Sequence, residues 1–219
     1  MPGTFITFEG IDGSGKSTQL RLLNNFLRAN GWNPLVTREP GGTPVGLRLR
    51  AALLDATEEV DPLTELLVFA ADRAQHVRRV IRPALAAGQI VISDRYADAT
   101  IAYQGAGRGF PPQLIAEIVY LATEGLKPDL TILFDVGIEE STRRTTRRST
   151  GKNSANKAGR DRLDIEDAAF HTRVRDAYLV IASAEPERVK VVDASGPVEH
   201  TQARVRDIVI PFLKGRAHF

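Results

Sequence analysis

The chain contains no cysteine among its 219 residues. A disulfide framework, a thiolate zinc site and a cysteine nucleophile are thereby excluded. Long hydrophobic runs are missing too. No segment approaches the roughly 20 uninterrupted apolar residues that cross a bilayer, so no membrane partner is expected. The opening MPGTFITFEG lacks the basic start and apolar stretch of a secretion signal. A cytoplasmic location is the expectation these absences leave. Low-complexity tracts are few and 42% of the residues are hydrophobic, which excludes disorder as a global description. The length suits a single domain over residues 1–219 with a real core.

Charge of either sign is nearly balanced at a net +2, but it is unevenly placed. Residues 143–162 hold eight bases (Arg143, Arg144, Arg147, Arg148, Lys152, Lys157, Arg160 and Arg162) against one acid, Asp161. That window is +7 and the remainder of the chain −5. A general nucleic-acid binder spreads its bases over a face. One concentrated window instead suits a grip on a small polyanion, so no nucleic-acid partner is expected.

Strand and helix patterns alternate. Apolar, β-rich runs occur at 4–9, 34–39, 89–94, 129–135 and 188–193, and the last three end in aspartate. Short apolar runs bounded by polar residues suit strands buried on both faces. Leu20, Leu23 and Leu27 recur at helical spacing until Asn30-Gly31. Residues 62–87, 112–125, 165–184 and 198–214 also read as helices, with prolines near several starts, where proline is tolerated. This order predicts an α/β fold: a doubly wound, five-stranded parallel sheet flanked by helices. Residues 141–160, rich in Arg, Ser, Thr, Gly, Asn and Lys, read as a mobile excursion between two helices.

The sharpest signal is Gly10-Ile11-Asp12-Gly13-Ser14-Gly15-Lys16-Ser17, followed by Thr18. It matches G-x-x-x-x-G-K-[ST] in full, with a strand before it and an amphipathic helix after it. Such glycines let backbone N–H groups curl round a phosphate, and the helix N-terminus adds partial positive charge. Lys16 is placed for the β and γ oxygens and the Ser17 hydroxyl for Mg²⁺. A bare glycine-rich turn is the bland alternative, disfavoured by the flanking pattern. No Asn-Lys-x-Asp base-reading motif of a GTPase is present. A small phosphate-loop chain with an Arg-rich segment before its penultimate helix points to nucleotide or nucleoside kinases, which close a lid over both substrates.

Several motifs in order then resemble one family over essentially the whole chain: FEGIDGSGKSTQ (8–19), TREPGGT (37–43), LRAALLD (49–55), FAADRAQH (69–76), ISDRYADATIAYQG (92–105), KPDLTILFDV (127–136) and DRLDIE (161–166). They resemble thymidylate kinase, a nucleoside monophosphate kinase of the phosphate-loop type. The resemblance implies ATP and dTMP as substrates, dTDP and ADP as products, Mg²⁺ as cofactor, and a homodimer built from helices near 44–87 and 112–125.

The resemblance also implies roles. Asp12 would turn to the acceptor sugar and bind its 3′-hydroxyl, although a loop-capping Asp is the alternative. Arg38, Arg50 and Arg95 would hold the acceptor phosphate through guanidinium forks, whereas Arg48 reads as a solvated helix face. Asp94 would organise the metal, or orient Arg95, or both. Phe69 would stack on thymine, with Arg73 one turn on at its O4 carbonyl. Thr100 and Gln104 would meet the N3 edge, and Tyr103 would close the sugar side against a 2′-hydroxyl. Glycine at position 13 marks the type whose lid, at about 143–162, supplies the catalytic arginine. Arg148 aligns best with that residue and Arg144 with one that packs on adenine, while Arg147 and Arg160 remain alternatives. A nucleoside kinase stays open as a rival, because Glu39 is a carboxylate placed to deprotonate a sugar hydroxyl.

Overall fold

The run Thr4–Glu9 forms strand β1 and is buried along its whole length. A strand covered on both faces tolerates polar residues only if they find partners. Thr7 does so, its hydroxyl lying 2.7 Å from that of Thr131 on the neighbouring strand. The computed structural model describes residues 3–150, 163 and 166–216, with backbone alone for 148–150. The other strands are β2 Leu35–Arg38, β3 Ile90–Asp94, β4 Leu130–Asp135 and β5 Val189–Asp193. All pair in parallel, in the order β2-β3-β1-β4-β5. The expected sheet is present, with strand ends trimmed by at most one residue.

Helices α1 Lys16–Ala29, α2 Pro44–Leu54, α3 Pro62–His76, α4 Arg82–Ala86, α5 Ala97–Thr100, α6 Pro112–Thr123, α7 Ile138–Thr150, α8 Ala168–Ala184 and α9 Val198–Arg216 complete the described chain. Alternation along each strand sorts the core into two layers. Ile6, Phe8, Ile92, Ile132 and Phe134 pack against Leu23 and Leu27 of α1 and Val205, Val209 and Leu213 of α9. On the opposite face, Phe5 and Val91 pack with Val77, Ile81 and Tyr96, and Leu133 with Val174 and Tyr178 of α8.

Three local readings change. The single helix expected over 62–87 is α3, a π-helical turn Val77–Ile81, and α4. Pro83 lies just beyond that turn and has no N–H for the usual ladder, which accounts for a widened turn there. The glycine-rich 104–109 stretch has the local composition of a flexible loop, yet it lies largely in a second π-helical segment, Ile101–Gly107. Its glycine has a packing reason: a Cβ on Gly107 would come within 2.6 Å of the Phe170 ring on α8. Residues 141–150 belong to helix α7, and the rest of the expected 141–160 excursion lies outside the described residues. Glu140 pairs with both Arg143 and Arg144, favourable (i, i+3) and (i, i+4) contacts in its early turns.

The chain runs from β1 to the β3/β2 side and returns to the β4/β5 side, so the strand order switches direction at β1. The loops after β1 and β3 therefore diverge and leave a crevice at the carboxyl end of the sheet.

Candidate active site

The loop 10–15 leaves β1 and wraps the start of α1. Lys16, the first residue of α1, is buried. Its ammonium donates to the Gly10 carbonyl at 2.8 Å, the Ile11 carbonyl at 2.9 Å and Ser14 Oγ at 3.4 Å. Burial, and then the nearby Arg95 charge, bring its pKa down to about 8. The first turn of α1 has no side-chain cap and no acidic residue, so its N–H groups and partial positive charge are presented outward. Gly13 has φ 75°, and a Cβ there would meet the Ser141 carbonyl at 2.6 Å. Ser141 in turn donates from Oγ to the Asp12 carbonyl at 2.5 Å. Helix α7 thus leans directly on the loop.

Beside the loop, Ser17 Oγ donates to Asp94 Oδ2 at 2.7 Å. A hydroxyl and a carboxylate so close are hard oxygen donors suited to Mg²⁺, which takes few protein ligands and fills its shell with phosphate and water.

A cleft of about 400 Å³ opens next to this pair. Asp12, Arg38, Arg50, Phe69, Arg73, Arg95, Thr100, Tyr103 and Gln104 all line it, although they come from distant parts of the chain. Gly13, Gly15, Lys16, Ser17, Thr18, Asp94 and Arg144 line it as well. Gly10, Ile11 and Ser14 do not: Gly10 and Ile11 offer carbonyls to Lys16, the Ile11 side chain is in the core, and Ser14 is buried.

Arg95 holds the strained left-handed φ of 71°, sparsely allowed for a residue with a Cβ and common at functional sites. Its N–H donates to the Phe8 carbonyl at 2.9 Å, which anchors the turn to β1. Its guanidinium donates to Asp12 Oδ1 at 2.7 Å, to Tyr103 Oη at 3.0 Å and to the Gly10 carbonyl at 3.2 Å. Tyr103 Oη also donates to Asp12 Oδ2 at 2.9 Å. Burial pushes the Asp12 carboxyl up, but Arg95, Lys16 and these hydrogen bonds outweigh it and hold it well below the usual range. Asp12 therefore stays charged.

Arg73 is buried and bonded through each of its three guanidinium nitrogens. It donates to Glu39 Oε2 at 2.7 Å, Thr100 Oγ1 at 2.7 Å and the Tyr96 carbonyl at 2.8 Å. The second oxygen of Glu39 lies 2.9 Å from His76 Nδ1. Each Glu39 oxygen thus has a partner within the protein, and the carboxylate also lines the cleft. Arg38 is exposed at the end of β2, and Arg50 reaches back from α2 to the Pro40 carbonyl at 3.3 Å. Phe69 is half-buried on α3. Arg144 ties three segments together: it pairs with Glu140 and donates to the carbonyls of Gly13, Ala194 and Ser195 at 3.4, 2.9 and 3.3 Å. Arg147 lies exposed on α7. The Arg148 side chain and Arg160 lie outside the described residues.

Two carboxyl groups were missed. Glu9 is wholly buried beneath Arg95, accepting from the Tyr96 N–H at 2.7 Å and Tyr178 Oη at 2.8 Å. Burial, then the Asp98 charge, push it up to about 8. Asp72 lines the cleft, accepts from the Gly41 N–H at 3.1 Å, and is raised to about 6 by burial and then Glu39. The available signal was a carboxylate closing an otherwise apolar strand, and an acid inside the FAADRAQH motif.

A glycine loop after the central strand of this parallel sheet, with an arginine-lined acceptor cleft at the switch point, defines the class: an ATP-dependent nucleoside monophosphate kinase of the phosphate-loop fold. A thymidylate kinase family model matches residues 8–205. The chain is similar to curated thymidylate kinases from Geotalea uraniireducens (48% identity over 96% of this chain and 98% of that one) and Exiguobacterium sibiricum (46%, over 99% and 98%). It is also similar to the crystal structure of thymidylate kinase from Ehrlichia chaffeensis, at 34% identity and a TM-score of 0.75, covering 95% of this chain and 99% of that one. The chain belongs to the thymidylate kinase family.

Proposed function

We infer that the protein transfers the γ-phosphoryl group of ATP to the phosphate of dTMP, giving dTDP and ADP. The observation that carries this reading is the single cleft in which three candidate phosphate-holding arginines and the base-facing Phe69, Arg73 and Gln104 meet the phosphate loop. The acceptor is already an anionic phosphate, so no strong general base is required. Catalysis comes from positioning and from neutralising charge on the transferred group.

Lys16 exchanges its loop carbonyls for the β and γ oxygens of ATP. Arg95, with Arg38 and Arg50, takes the acceptor phosphate in place of part of its present hydrogen bonding. Asp12, kept ionised, accepts from the sugar 3′-hydroxyl. Tyr103, pinned between Asp12 and Arg95, leaves no room for a 2′-hydroxyl. Phe69 stacks on the base, Arg73 serves its O4 carbonyl, and Thr100 and Gln104 serve its N3 edge. Mg²⁺, held by Ser17 and Asp94, would neutralise charge on the β- and γ-phosphates. Arg144 supports the nucleotide side, and Arg148 of the basic lid supplies the guanidinium that the loop lacks.

The same reading makes the protein a cytoplasmic homodimer. Among the described residues no helix is long and apolar enough to cross a membrane. Helices α2, α3 and α6 pack side by side and leave Val45, Leu47, Leu63, Leu67, Tyr120 and Leu121 exposed, an apolar surface that suits a second copy.

Coupled measurement of ADP release with dTMP, thymidine, dUMP and AMP tests the activity. Turnover should be fastest with dTMP and absent with thymidine. Turnover with thymidine and none with dTMP would overturn the reading.

A further inference from the structure

We propose that Glu65 is a positioning residue for base selection: it holds the side-chain amide of Gln104 so that its oxygen, and not its NH₂ group, faces the acceptor base. The inference rests on the dTMP reading above and adds to it a residue outside the cleft.

Glu65 sits in the first turn of α3 and is wholly buried. Its Oε1 accepts from Gln104 Nε2 at 2.9 Å. Arg108 forms an ion pair with Glu65, Nη2 to Oε2 at 3.0 Å, and also pairs with Glu166 at 2.7 Å. An ionised carboxylate can only accept hydrogen bonds. The group that Gln104 turns toward Glu65 must therefore be its NH₂. Gln104 lines the cleft and Glu65 does not, so the amide spans the wall between them. With NH₂ committed on the buried side, Oε1 is the atom it can offer to a ligand.

That polarity selects a base. A 2,4-dioxopyrimidine such as thymine carries a donor at N3–H. Cytosine carries a lone pair at N3 and an NH₂ at C4. An amide oxygen accepts from thymine N3–H and repels the lone pair at cytosine N3, and a donor beside it meets the O4 carbonyl of thymine but clashes with the cytosine NH₂, whereas a freely rotating amide could satisfy either N3. A site whose buried polar group would be left unpaired rejects the wrong ligand more strongly than an apolar site can. Neighbouring groups agree. Arg73 can only donate, and it lines the cleft together with Gln104, so this wall sets a donor beside the Gln104 acceptor. Glu65, Phe69 and Arg73 recur at four-residue spacing, one turn apart on α3. The face that carries the stacking ring and the carbonyl-reading guanidinium also carries the group that sets the sense of the amide.

The test compares kcat/KM for dTMP and dCMP. Glu65→Met removes the acceptor at similar length. It should lower the dTMP:dCMP ratio by about tenfold or more, chiefly through a higher KM for dTMP, with KM for ATP little changed. Glu65→Gln keeps one acceptor oxygen and should retain most of the discrimination. In a Gln104→Met background, Glu65→Met should change the ratio no further, because the coupling runs through Gln104. A ratio that survives Glu65→Met, with only stability or kcat reduced, overturns the proposal and shows Glu65 to be structural. Should Glu65→Met not fold, neutron diffraction from the deuterium-exchanged wild-type dTMP complex locates the amide deuterons: on the Glu65 side they support the assignment, on the base side they overturn it. Wild-type protein with no dTMP turnover would defeat the dTMP reading itself, an outcome separate from an unchanged ratio.

Discussion

Asp12 and Arg95 meet at 2.7 Å, joining the phosphate loop to the end of β3 across the switch point of the sheet. The pair gives a half-buried guanidinium a partner, and it keeps the Asp12 carboxylate ionised at neutral pH. Loop and acceptor site are in this way one electrostatic unit. A change at either residue is expected to disturb both substrates.

Lys16→Ala should nearly abolish phosphoryl transfer. The ammonium is the one cation inside the phosphate loop among the described residues. Loss of a contact made to developing charge typically lowers kcat 10²–10³-fold. Circular dichroism should show an intact fold, and turnover above about a tenth of wild type would contradict the assignment.

Phe69→Ala should weaken dTMP binding more than ATP binding. The ring is half-buried and lines the cleft, and base–aromatic stacking contributes roughly 1–3 kcal/mol. Calorimetric titration with each nucleotide reads the split. Equal losses accompanied by a lower Tm would mark the ring as ordinary core.

Lid alanine variants should separate binding from chemistry. Arg148→Ala is expected to lower kcat by roughly 10²-fold with little change in dTMP affinity. Arg144→Ala should raise KM for ATP, because Arg144 braces the Gly13 and Ala194 carbonyls on the nucleotide side. Arg147→Ala and Arg160→Ala serve as register controls. Near-normal kcat in all four would move the catalytic charge to Lys16, Arg95 and the metal.

Placing an arginine in the loop should not substitute for the lid. Gly13 has a positive φ, and the Ser141 carbonyl occupies the space a Cβ would need. Gly13→Arg should destabilise the protein by about 1–3 kcal/mol and lower activity even in the presence of an intact lid. Thermal melting together with kcat decides this.

Stability should fall as pH rises from about 5 to 8. Glu9 moves from its ordinary 4.5 to about 8 on folding, through burial first. Between those values the folded protein keeps a proton that the unfolded chain releases. This contribution is therefore fully present below pH 4.5, declines through the window, and levels off above about 8. The slope is at most about 1.4 kcal/mol per pH unit. Glu9→Gln should flatten the Tm–pH profile there, and an unchanged profile would show that Glu9 does not titrate in this range.

The sequence by itself determined the class of fold and the phosphate loop, and it named candidate acceptor residues through the family resemblance. Strand runs such as 4–9 and the spacing of Leu20, Leu23 and Leu27 depend on local periodicity. The loop motif depends on glycine conformation and one lysine, and all of these are written in neighbouring residues. Only the tertiary structure decided which groups hold those residues in place. Glu9, Glu65 and Asp72 are single carboxylates whose chemistry follows from burial and from partners up to 169 residues away, as with Glu9 and Tyr178. The close packing of Gly107 on Phe170 likewise made a helical segment of a glycine-rich stretch that reads locally as a loop. Desolvation and long-range pairing set those roles, and neither has a local signature in the chain.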